Sequence, residues 1–159
     1  MGVRSTAKAI IINKDKVLLN KCFDKHNGEY YSLPGGGQQT FETLQEAVIR
    51  ECLEETGYSV IPKRFAALCE EICENPKTIE LDPDYIHKMY HIFLCELADE
   101  IAKKPLEIDE MQVSSEWIDI EELGKIRILP RVLNENIYKL IKSEIPMFLG
   151  SERIKYNHG

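Results

Sequence analysis

No apolar run long enough to span a bilayer occurs in this chain of 159 residues, and no charged-then-apolar leader opens it. A cytoplasmic protein is therefore expected, with no membrane partner. The start, Met1-Gly2-Val3-Arg4-Ser5-Thr6, fits an acylation pattern only loosely, and no second anchor follows. Basic residues are in the minority: the formal net charge is −7. That argues against a general nucleic-acid or anionic-membrane binder, which must neutralise phosphates with a basic surface. A small phosphorylated ligand stays open, because a bound divalent cation reverses the local sign. The cysteines, Cys22, Cys52, Cys69, Cys73 and Cys95, are odd in number and form no Cys-x-x-Cys pair. They lack zinc-site spacing and read as reduced core thiols. Repeats, low-complexity tracts and a linker are also missing. One domain over 1–159 is expected, with a core over about 5–143 and a tail over 144–159.

What is present alternates between strand and helix signals. Ala7 to Asn13 and Val17 to Cys22 read as a hairpin around Asn13-Lys14-Asp15. Tyr30 to Leu33 leads into Pro34-Gly35-Gly36-Gly37, which is expected to be irregular. A helix is predicted from Leu44 to Thr56, opened by a Thr43/Glu46 capping box and closed by Gly57. Strands follow at Arg64 to Glu74, His87 to Leu97 and Val113 to Ile118, and Ile120 to Leu123 starts a helical turn. The acidic loop Asn75 to Tyr85 is long for a hairpin connection. Pro130 opens a last helix to about Ser143, with Val132, Leu133, Ile137, Leu140 and Ile141 on one face. The tail after Pro146 carries little signal. The fold class is α+β, a mixed β-sheet sandwiched between α-helices.

The predicted helix from Leu44 to Thr56 carries an arrangement that folding alone would disfavour. Glu51, Glu54 and Glu55 fall within an arc of roughly 100°. Like charges at these spacings repel by about 0.2–0.5 kcal/mol per pair, and they sit at the helix end where the dipole disfavours anions. A hard divalent cation such as Mg²⁺ removes the conflict, because it takes oxygen ligands and shares its shell with substrate phosphates. Gly35, Gly36 and Gly37 supply the complement: backbone that can approach a phosphate or aim a carbonyl at a metal. Taken singly, a glutamate cluster is usually a solvated face and a glycine triplet a turn.

Their spacing decides the matter. Gly36, Glu42, Arg50, Glu51, Glu54, Glu55 and Gly57 resemble the Nudix box, with Cys52 and Tyr58 at positions usually aliphatic. A chance match per window is on the order of one in a hundred million. Phe41 stands where the box often has glycine, and Gln39 where it often has glutamate. The opening hairpin, the Leu33–Gly37 run and Trp117 to Leu123 fall in the family's usual order.

The resemblance implies the Nudix fold and a Mg²⁺-dependent pyrophosphohydrolase, with Mn²⁺ as a substitute. The expected substrate is a nucleoside diphosphate derivative, such as ADP-ribose or a nucleotide sugar, or a nucleoside triphosphate. Glu51, Glu54 and Glu55 would hold the metal, with the Gly36 carbonyl as a further ligand. Glu54 or Glu51 would activate water, with Arg50 orienting a box glutamate. Glu42 would brace the loop–helix junction or join the metal's outer shell. An additional acid is expected at Glu110, with Glu107 and Asp109 as rivals. Gly35, Gly36, Gly37, Tyr31 and Tyr85 are the substrate-contact candidates. No nucleic-acid partner is expected, and a homodimer is allowed. A ligand-sensing module on the same fold and an isoprenoid-diphosphate isomerase are the alternatives. Pro76 lies about eighteen residues past Tyr58, a poor fit to the ADP-ribose pattern of a proline near fifteen.

Overall fold

The computed structural model describes residues 2–106 and 110–158. β1 (Arg4–Asn13) turns at Lys14, whose φ is 55°, and β2 (Lys16–Asp24) returns antiparallel with Ile11 opposite Leu18. The nearly continuous isoleucines of β1 are explained by burial on both faces. Ala7, Ala9 and Ile11 point to one core, and Ile10 to the other.

β1 is the strand on which the site is organised. It pairs with β2 only near its tip. Further back it takes β4 (Gly35–Gly37) as antiparallel partner, with Thr6 opposite Gly37 and Lys8 opposite Gly35. Its other edge runs parallel to β6 (His87–Leu97), which pairs with β5 (Val60–Cys73). The sheet order is β3-β2-β1-β6-β5-β8, where β3 is Gly28–Ser32 and β8 is Met147–Ile154. β7 (Gln112–Asp119) pairs with the remaining edge of β2. Helix α1 (Leu44–Thr56) packs Ala47, Val48 and Cys52 on one face. Helix α3 (Arg131–Lys142) packs Leu133, Ile137 and Leu140 on the other. The mixed sheet between helices is the expected α+β architecture.

Three segments differ from their sequence reading. The glycine run is a short strand, because its main-chain groups pair with β1 and no side chain is needed for that. The loop Asn75 to Tyr85 contains a short helix, α2 (Pro76–Leu81), capped by the Asn75 side chain, and a 3₁₀ turn at Pro83–Tyr85. The tail adds β8 to the sheet, parallel to β5, and buries His158. Its half-exposed, weakly alternating residues give no periodic signal, and the pairing is fixed by β5.

The ends of α1 follow the sequence closely. Thr43 Oγ1 accepts from Glu46 N at 3.2 Å, and Glu46 Oε2 accepts from Thr43 N at 2.8 Å. Gly57 ends the helix with φ 78° and donates to Leu53 O at 3.0 Å. The segment after β6 wraps this end: Lys103 N donates to Gly57 O and Leu106 N to Glu54 O, at 2.7 and 2.9 Å. A Cβ on Gly57 would stand 1.7 Å from Lys103 O. Gly57→Ala is therefore expected to destabilise by more than the left-handed backbone alone, which disfavours a side chain by about 1–2 kcal/mol. Urea unfolding checks this, and a loss below that range would mean the wrap is not formed.

Candidate active site

Arg50 organises the acidic face of α1. A guanidinium has five N–H donors in a fixed fork, and here all five find acceptors. Nε and Nη2 grip Glu42 Oε1 and Oε2 at 2.7 and 3.0 Å. Nη1 donates to Glu51 Oε1 at 2.8 Å and to Glu54 Oε2 at 3.1 Å, and Nη2 donates to Gly37 O at 2.9 Å. The Arg50 hydrogen bonds hold the Glu42 carboxyl below the usual carboxylate range, against the opposing effect of burial. Glu51 goes the other way: burial raises it, and Glu54 adds to that, although Arg50 opposes both.

The glycines set how close the loop and helix approach. A Cβ on Gly36 would lie 2.6 Å from Glu51 Oε2, so a side chain there would push that carboxylate from its place. Main-chain bonds from Ala9 N to Pro34 O and from Gln38 N to Ser5 O flank the β1–β4 ladder. Antiparallel alternation then makes Ala7 and Gly36 a hydrogen-bonded pair. The Gly36 carbonyl, expected to face a cation, is thus turned onto β1. The outward carbonyls are those of its neighbours: Gly37 O meets Arg50, and Gly35 O accepts from Lys8 Nζ at 2.8 Å.

Glu55 lies beneath this surface. It is buried, and its Oε2 accepts from Asn20 Nδ2 at 3.0 Å and from Gly35 N at 2.9 Å. Gln112 Nε2 donates to Glu55 O at 3.2 Å and to Asn20 Oδ1 at 3.3 Å, and Ser115 Oγ donates to Asn20 Oδ1 at 2.9 Å. This network ties α1, β2, β4 and β7 together. Glu55 therefore faces the Gly35 peptide, while Glu51 and Glu54 face Arg50.

The remaining candidates divide. Tyr85 reaches the glycine strand through Arg4, whose guanidinium carbon lies 4.4 Å above the Tyr85 ring. Arg4 Nη2 abuts Gly37, where a Cβ would be 2.5 Å away. Tyr31 donates its hydroxyl to Glu116 Oε2 at 2.9 Å, and burial and that carboxylate push its pKa to about 12. Glu110 is exposed on the turn before β7, and it is Gln112 that touches α1. Glu107 and Asp109 lie outside the described residues. A cleft of about 610 Å³ is bordered by Val3, Ile72, Ile79 and Ile86 and contains none of the box glutamates. Sequence reasoning missed Asn20, Lys8 and Arg4. The available signal was a polar residue inside an apolar strand, Val17-Leu18-Leu19-Asn20 and Ala7-Lys8-Ala9-Ile10.

These residues fit a divalent cation. Two carboxylates, Glu51 and Glu54, already converge on one cationic nitrogen, Arg50 Nη1, beside a backbone cradle that a Cβ at Gly36 would fill. Glu51 is desolvated, a condition that a nearby cation relieves.

Comparison with known proteins gives the family. The model of the NUDIX domain matches residues 2–142. A putative nudix hydrolase 1 of Caenorhabditis elegans is 27% identical over 127 residues, 77% of this chain and 30% of that protein. An RNA pyrophosphohydrolase of Zymomonas mobilis is 35% identical over 65 residues, 41% of this chain and 40% of that protein. The match thus spans less than half the length of either relative. The structure of an ADP-ribose pyrophosphatase from Streptococcus suis superimposes with a TM-score of 0.62 at 19% identity, over 95% of this chain and 100% of that one. With the box geometry in place and the domain model matched along most of its length, this chain belongs to the Nudix family.

Proposed function

We propose that this chain is a Mg²⁺-dependent pyrophosphohydrolase, with Mn²⁺ as a working substitute. Its substrate is a nucleoside diphosphate derivative, such as ADP-ribose or a nucleotide sugar, or a nucleoside triphosphate. The observation that carries the reading is the convergence of Glu51 and Glu54 on one cationic nitrogen at 2.8 and 3.1 Å, against the glycine strand. A pyrophosphatase and a pyrophosphohydrolase among its relatives support the reaction class.

Glu51 and Glu54 would hold the cation, with the outward carbonyl of Gly35, now shared with Lys8, as the backbone oxygen beside them. When bound, the ion lowers the pKa of the attacking water and neutralises charge on the phosphoryl oxygens. Glu54, the more open of the two carboxylates, would take the proton from water. Arg50 holds both carboxylates in place and is itself fixed by its two-pronged grip on Glu42. Glu55 would keep the Gly35 peptide oriented by accepting its N–H directly, with Asn20 donating to the same carboxylate oxygen. Arg4 and Lys8 bring positive charge to the glycine strand of an acidic protein, where a diphosphate needs it. Glu110 is proposed as the additional carboxylate, with a smaller effect than the box residues.

The isomerase alternative would need a reactive thiol in the pocket. All five cysteines are buried, and burial raises the thiol pKa of Cys69 and Cys95 to about 12. The sensing alternative is disfavoured because every box carboxylate is retained.

A panel of ADP-ribose, UDP-glucose, GTP and a 5′-triphosphorylated RNA, incubated with Mg²⁺ and scored for phosphate or nucleotide release, tests the function. Turnover of one class, abolished by chelator, is expected. No release from any compound, or full release in chelator, would overturn the reading. Within it, Tyr85→Ala should loosen Arg4. An exposed cation–π contact contributes about 0.5–1 kcal/mol, so KM should rise roughly two- to fivefold with kcat little changed. Steady-state kinetics would reject that role for Tyr85 if KM stayed constant.

A further inference from the structure

A second polar cluster lies on the α3 face of the sheet, two strands from the glycine run. Gly37, Thr6 and Tyr90 form one row across β4, β1 and β6, and Arg4, Lys88 and Glu71 form the next across β1, β6 and β5. Two interstrand steps place Tyr90 about 10 Å from the glycine backbone. Glu71, Lys88 and Tyr90 are 1%, 5% and 2% exposed. Glu71 accepts from the Tyr90 hydroxyl at 3.0 Å and lies 3.6 Å from Lys88 Nζ.

The chain's own segment Lys155–His158 covers this floor. His158 Nε2 meets Glu71 Oε2 at 2.8 Å, and Lys88 Nζ donates to His158 O at 3.1 Å. The Tyr30 ring stands edge-on to the imidazole, with centroids 6.1 Å apart. Tyr156 stacks on His26 at 4.4 Å, and Asn27 Nδ2 donates to Asn157 O at 3.0 Å. The fit is imperfect: Asn157 Oδ1 is buried with no hydrogen-bond partner among the described residues.

Burying a carboxylate, an ammonium and an imidazole together is a poor way to fasten a strap, because apolar packing of the same volume stabilises as well or better. The floor has the features of a recognition site. It offers an anionic acceptor for a ring N–H beside a cationic donor for a C=O, under an aromatic wall. His158 satisfies both with its ring nitrogen and its own carbonyl. A lactam edge, as in guanine or uracil, presents the same pair.

We propose that Glu71, Lys88 and Tyr90 form the substrate's nucleobase site, specific for a base with adjacent N–H and C=O groups, and that His158 occupies it until the base displaces the imidazole. This rests on the reading of the substrate as a nucleoside-linked diphosphate, and it names the part of the site that reads the base.

Nucleosides without phosphate or cation separate the two claims. In the intact chain, the His158 imidazole NMR signals are followed while guanosine, uridine and, as control, ribose 5-phosphate are added. Guanosine or uridine should move His158 to a solvent-exposed shift, and ribose 5-phosphate should not. In His158→Ala, guanosine should bind about tenfold more tightly, since an occupied site weakens apparent affinity by its free fraction. An unmoved His158 signal at saturating nucleoside, or an equal response to ribose 5-phosphate, overturns the proposal. If His158→Ala does not melt cooperatively, the wild-type titration decides alone. Displacement without any diphosphate hydrolysis would leave this site standing and remove the pyrophosphohydrolase reading. Hydrolysis without displacement would do the reverse.

Discussion

Glu54→Gln is expected to lower kcat by two to three orders of magnitude while leaving the fold nearly unchanged. Losing a ligand to the catalytic cation removes transition-state stabilisation of several kcal/mol, and about 1.4 kcal/mol corresponds to each factor of ten. On sequence grounds alone, removing one of three clustered carboxylates should stabilise the protein by relieving repulsion. The structure changes that expectation. Glu54 also accepts from Arg50 at 3.1 Å, so the substitution loses a charged hydrogen bond as it relieves the like charge. The two effects are comparable for a part-exposed pair, and the stability change without metal should stay within about 1 kcal/mol. Steady-state kinetics and thermal melting in chelator check both halves. Near wild-type turnover would remove Glu54 from the site.

Arg50→Lys should have the larger effect on stability. The ammonium has three donors where the guanidinium has five, and it cannot grip Glu42 with two parallel bonds while also reaching Glu51, Glu54 and Gly37 O. Glu42 and Glu51 are mostly buried, and each would keep fewer hydrogen bonds from the cation between them. Hydrogen bonds to charged groups contribute about 1.5–3 kcal/mol each. With screening at this half-open site, a net loss of about 2 kcal/mol is expected. Mg²⁺ should restore part of it, because a cation replaces the positive charge next to Glu51 and Glu54. Thermal melts with and without Mg²⁺ measure this. A variant as stable as wild type, or one that Mg²⁺ raises no more than wild type, would show that Arg50 is not the brace of the cluster.

The helix was legible because its signals are local. Thr43, Glu46 and Gly57 act within one turn of the backbone, and the spacing of Glu51, Glu54 and Glu55 follows from helical geometry. What local reasoning could not supply was the division of labour among the three glutamates. Glu55 differs from its neighbours because Asn20 and Gln112, far away in sequence, reach it from β2 and β7. The glycine run looked irregular, since glycine carries no strand propensity, yet its backbone completes β1. Phe41 is fully exposed with φ 65°, a left-handed position that explains why glycine is common there in the family pattern. The tail gave no periodic pattern because β8 is held by pairing with β5 and by the buried contacts of His158.

Cation binding by the box itself can be measured without any substrate. Mn²⁺ is titrated into the wild-type chain, Glu51→Gln and Glu54→Gln, and free Mn²⁺ is read by electron paramagnetic resonance. Saturable binding is expected in the wild type, weakened at least tenfold in each variant, as loss of a charged ligand worth upward of about 1.4 kcal/mol requires. Equal Mn²⁺ affinity in all three chains would contradict it.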